Sequence, residues 1–247
     1  MTEVTRADCK INIAKKEEDL RTELILGHYS MLLLPAFLLE GCVSIYLKNE
    51  VSADEYLDGK PLEMRPLLEV INLYADLFKN EHCVELQHDK LHLLPRIGFF
   101  ADQDYIEINE NDMTVVVKNK EKTFEMVNFF SNLIMPLIDT YLVTLVAIRQ
   151  ICGKNLVLKH SKLVKQLHNC IKVLHMEQIV TNPISCVVEI IETAVFRYAQ
   201  LGLLETRAYM TNKGNTTLYT QCPAKNRPQI DKLWTQIQKQ RNLSEEE

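Results

Sequence analysis

Five side chains of metal-ligating type, His82, Cys83, His88, Asp89 and His92, fall within eleven residues of one another. Imidazole, thiolate and carboxylate suit zinc, but only His88 and His92 stand one helical turn apart, and the others follow no ligand spacing. These residues are therefore read as polar groups at an interhelical turn, and no metal or cofactor is expected. A second group is more regular. Lys154 to His175 holds five lysines and no acid. On a helical wheel Leu163, Leu167, Ile171 and Leu174 share one arc, with Lys162, Lys165 and Lys172 opposite. Together with Lys159 these form a cationic face suited to an anionic membrane surface or an acidic partner. His168 and His175 sit near the border of the arcs and are expected to be surface residues.

The sequence offers little else with which to do chemistry. Its seven glycines come no closer than Gly202 and Gly214, so the Gly-rich phosphate cradles are excluded. Gly-x-Ser-x-Gly, His-Glu-x-x-His and EF-hand patterns are absent. The seven cysteines are scattered and never form Cys-x-x-Cys, which points to reduced thiols in a cytosol-facing protein. A net charge of -5 over 247 residues opposes a dedicated duplex nucleic-acid binder. No signal peptide is read at the N-terminus, and the terminal Ser-Glu-Glu-Glu is neither an anchor nor a retention signal.

The elements that carry these residues form a pattern. Leu24 to Leu39 and Met126 to Ile148 are apolar, but the first contains Pro35 and the second Asp139, so both are read as buried core helices. Tyr29 to Pro35 matches Phe130 to Pro136 at an offset of 101, and Arg96 to Phe100 matches Gln200 to Leu204 at 104. In each half two helices follow the apolar one: about Leu62 to Lys79 and Leu86 to Ile97, then about Ser161 to Met176 and Pro183 to Leu201. A hairpin closes each half, Tyr105 to Val117 and Thr206 to Thr220. Gly98 and Gly202 are assigned to equivalent helix C-caps.

The expected fold is mostly α with two small β-hairpins, as two tandem winged-helix-like units related by internal duplication. The divisions are a charged arm at 1–20, units at 21–118 and 119–222, and a C-terminal helix with an acidic tail at 223–247. That last helix, Gln229 to Gln240, should pack on the second unit through Ile230, Leu233, Trp234 and Ile237. A winged-helix layout raises DNA binding, but neither candidate third helix carries an Arg cluster.

The run from Phe129 to Tyr141, with Pro136, Asp139 and Tyr141, resembles a recurring segment in glycerol-3-phosphate and dihydroxyacetone-phosphate acyltransferases, beyond their catalytic domain. Tyr74 to Phe78 and Leu91 to Phe100 look like the part preceding it. Val187 to Leu204, ending in Arg197-Tyr198-Ala199-Gln200-Leu201-Gly202, is similar to the family's closing helix and turn. Tyr29 to Leu47 is similar to its first post-catalytic apolar helix. The resemblance implies transfer of a fatty acyl group to a phosphorylated triose through a His-x-x-x-x-Asp pair. None of the seven histidines here has Asp five positions on, and the family's Phe-Pro-Glu-Gly block is missing, so no catalytic residue carries over. The reading is a non-catalytic C-terminal portion, inactive alone, that meets an acyltransferase catalytic domain or subunit and associates with a membrane from the cytosolic side. The alternatives are a helical interaction module with no lipid connection, a nucleic-acid binder, and an enzyme with an unrecognised site.

Overall fold

The computed structural model describes residues 37–50, 61–81, 97–109, 111–152, 154, 156–210 and 216–241. The metal-type cluster and the Tyr29 to Pro35 half of the first sequence match lie outside the described residues.

The two halves share one order of elements. Helix α1 (described over 37–50) is followed by strand β1 (Pro61–Glu63), helix α2 (Met64–Leu77), a helix α3 described over 97–102, and the hairpin β2 (Ile106–Asn109) and β3 (Thr114–Val117). Helix α4 (Lys120–Ile151) opens the second half. Strand β4 (Val157–Lys159), helix α5 (His160–Met176), helix α6 (Val188–Gln200) and the hairpin β5 (Glu205–Met210) and β6 (Thr216–Gln221) follow. Both sheets are antiparallel, ordered β1-β3-β2 and β4-β6-β5. Helix α7 (Arg227–Arg241) ends the described chain. The mostly helical architecture with small β elements is the expected one.

Three local features differ from expectation. The hairpins are three-stranded sheets, because Leu62 lies opposite Val115 and Leu158 opposite Thr220. Strands of three residues that run straight into a helix are too short to show an alternating pattern. The helix expected from Pro183 is broken. Asn182 Oδ1 accepts from Ile184 N–H and Pro183 starts a 3-10 turn ending at Cys186, before α6 begins.

The third difference concerns Gly98. It lies inside α3 and caps nothing. The left-handed residue after α3 is Asp104, at φ 59°, and that after α6 is Gly202, at φ 75°. Tyr105 N–H reaches Phe100 O at 2.9 Å, as Leu203 N–H reaches Tyr198 O at 3.0 Å. Asp104 thus answers to Gly202 at an offset of 98. Asp tolerates the left-handed region through its short polar side chain, which hides the cap from a search for glycine.

Helix α4 runs through the core of both halves. Asn119 Oδ1 caps it by accepting from Lys122 N–H at 3.0 Å. Val127, Phe130, Ile134, Leu137, Tyr141, Leu145 and Ile148 recur every three or four residues and are buried as one stripe. Phe130 packs against Phe37, Phe99 and Phe100 of the first half. The other end meets α6 and α7, where Arg149 pairs with Asp231 and lies over the Trp234 ring. Glu121–Ile151 is the one described helix long and apolar enough to cross a membrane, but 67% of its apolar window is buried within the protein.

Candidate functional site

The residues that carried the family resemblance converge where the two halves meet. Pro136 has no N–H and interrupts the bonding of α4. Its carbonyl accepts from Ser185 Oγ at 3.2 Å, and Thr140 Oγ1 lies 2.9 Å from Pro136 O and 3.0 Å from Ser185 O. The 3-10 turn is thereby fastened to the middle of α4. One turn on, Asp139 is 1% exposed, near the fully buried Tyr74. Burial above all, with Asp139 nearby, pushes the Tyr74 hydroxyl well above its ordinary value.

Tyr141 faces the end of α2. Its hydroxyl donates to Glu81 Oε1 at 2.8 Å, and its ring meets Phe78 edge-on at 5.0 Å. Tyr198 donates to Tyr141 O at 2.8 Å. Arg197, only 6% exposed, bonds Asp76 Oδ1 through Nη2 at 2.7 Å and Gln200 Oε1 through Nη1 at 3.0 Å. Asn80 Nδ2 donates to the same Gln200 oxygen at 2.9 Å. Burial raises the Glu81 carboxyl from its ordinary 4.5 to about 7, although the Tyr141 hydrogen bond pulls the other way. The same burial drives the Tyr141 phenol far upward, so it stays a donor. These bonds brace one half against the other. Neither Glu81 nor Asn80 belongs to a local motif, and only the fold brings them to Tyr141 and Gln200.

Beside this brace lies a cleft of about 790 Å³, lined by Lys79, Asn80, His160, Glu192, Phe196 and Thr206 among others. Sequence reasoning did not find it, because its lining comes from the turn after α2, from α5 and α6, and from the second sheet. His160 and Glu192 both border it without bonding each other. His160 Nδ1 lies 3.5 Å from Thr220 Oγ1. Among the described residues no histidine pairs with a carboxylate, and no group of three or more His, Cys, Asp or Glu could hold a metal ion.

Lys162, Lys165 and Lys172 are exposed on α5, and Lys159 is exposed just before it. Leu163, Val164, Leu167 and Ile171 face the core. Leu174, expected with them, is only half-buried. His168 is also half-buried, and His175 Nδ1–H donates to Val180 O at 2.7 Å, which ties down the end of the helix. Cys42, Cys152, Cys170, Cys186 and Cys222 are free thiols.

No curated protein matches the chain. The family described as the glycerol-3-phosphate acyltransferase C-terminal region matches residues 18–207. That span takes in α1 to α6 and both sides of the brace, and it ends within β5. The chain belongs to the glycerol-3-phosphate acyltransferase C-terminal region family.

Proposed function

We propose that this chain is the non-catalytic supporting body of a glycerol-3-phosphate or dihydroxyacetone-phosphate acyltransferase, serving a catalytic domain or subunit that supplies the His-x-x-x-x-Asp pair. The observation that carries the reading is the use made of the family-like residues. Asp76, Tyr141, Arg197 and Tyr198 are spent on bonds to one another and to neighbouring elements. The family's general base is a histidine oriented by an Asp five positions on, and none of the seven histidines in the sequence has that neighbour. The membership favours this reading over a module unrelated to lipid synthesis. Nucleic acid is not an expected partner, since the exposed face of α6 carries Glu189 and Glu192, which repel phosphates.

The purified chain, given acyl-CoA and glycerol 3-phosphate, should show no acyl transfer, while coexpression with an acyltransferase catalytic domain should give a complex that copurifies. Turnover by the chain alone would overturn the reading.

A further inference from the structure

The outer face of α5 combines two kinds of side chain that a merely solvated helix has no need to combine. At about 100° per residue, Lys162, Lys165, Lys172, Val173 and Met176 share an outward arc of roughly 100°. Val173 is 54% exposed and Met176 82%. The lysines form no ion pair among the described residues, and no acid lies between Lys154 and Met176. The first turn carries no acid either, so Lys159 and Lys162 add to the positive end of the helix dipole without an acid of that turn to offset them. That placement is unfavourable for the isolated helix and favourable toward an anion.

From this face we infer an anionic lipid surface as the partner: a bilayer whose headgroups meet the lysines while Met176 and Val173 enter the interfacial layer. Charge complementarity selects an anionic occupant. The apolar side chains among the cations select a bilayer over an acidic protein bound by charge alone. The inference rests on this surface and does not depend on the accessory role.

Co-sedimentation of the full chain with phosphatidylcholine vesicles, with and without phosphatidylglycerol, tests it. Binding should require the anionic lipid and weaken as salt rises from about 0.1 M to about 0.5 M. Lys162→Glu, Lys165→Glu and Lys172→Glu together should lower the partition coefficient by roughly 100-fold or more. Val173→Ser with Met176→Ser should lower it several-fold at unchanged charge. All five positions are exposed, and a circular dichroism spectrum checks that each variant folds. If the lysine variant fails to fold, the serine pair decides. Equal binding to both vesicles, retained binding by a folded lysine variant or by the serine pair, or indifference to vesicles with capture of an acidic protein through these lysines would overturn the inference. Such a failure leaves the accessory reading standing, and acyl transfer by the chain alone would leave the lipid surface standing.

Discussion

Glu81 is a carboxyl held by a phenol in a place where water is scarce. The Tyr141 hydrogen bond favours its ionised form, but burial outweighs that bond and moves its titration to about 7. The sign of the consequence follows from linkage. Between about 4.5 and about 7 the folded protein holds this proton more firmly than the unfolded chain does. The contribution to stability is therefore complete below the lower value and is lost as pH rises through the upper one. Glu81→Gln keeps a side-chain oxygen for Tyr141 and removes the titration. The variant should melt close to the parent at pH 5 and above it at pH 8, as read by melting temperature across that range. Parallel curves for the two proteins would contradict the burial argument.

The helices meet at distances set by small residues. A Cβ at Gly41 on α1 would lie 2.6 Å from Ile134 Cγ2 on α4, well inside contact distance. Alanine is the better helix former by about 1 kcal/mol, whereas overpacking a full core costs about 1–3 kcal/mol. Ile134 is fully buried and β-branched, so it has neither space nor rotamer freedom with which to yield. Overpacking should win, and Gly41→Ala should lower the melting temperature. A raised value would show that α1 and α4 can slide apart at little cost. The middle of α4 is held by polar contacts as well: Ser185 Oγ donates to Pro136 O, and Thr140 Oγ1 lies within hydrogen-bond distance of both Pro136 O and Ser185 O, which fastens the turn at Pro183–Cys186 to the helix.

The whole molecule is knit by α4, whose buried stripe touches elements of both halves, and by the Asp76–Arg197 and Glu81–Tyr141 bonds across them. A single contiguous core predicts a single cooperative transition. Calorimetry should show one peak, with the van't Hoff and calorimetric enthalpies in agreement. Two resolved peaks would mean that the halves melt independently and that the brace contributes little.

Periodicity marked α5 and α7, because a buried stripe at three- and four-residue spacing writes itself into the order of residues, and α4 was legible as a long apolar run. The acyltransferase relationship was likewise legible, in Pro136, Asp139, Tyr141 and Arg197. What those residues do was not. Asp76 and Arg197 are 121 positions apart and Tyr141 and Glu81 are 60 apart, and no local pattern encodes a bond over such distances. The three-residue strands, the broken helix at Pro183 and the Asp104 cap also needed the fold. Each owes its conformation to a partner contributed by another element or to a backbone angle, and tertiary structure alone brings those together.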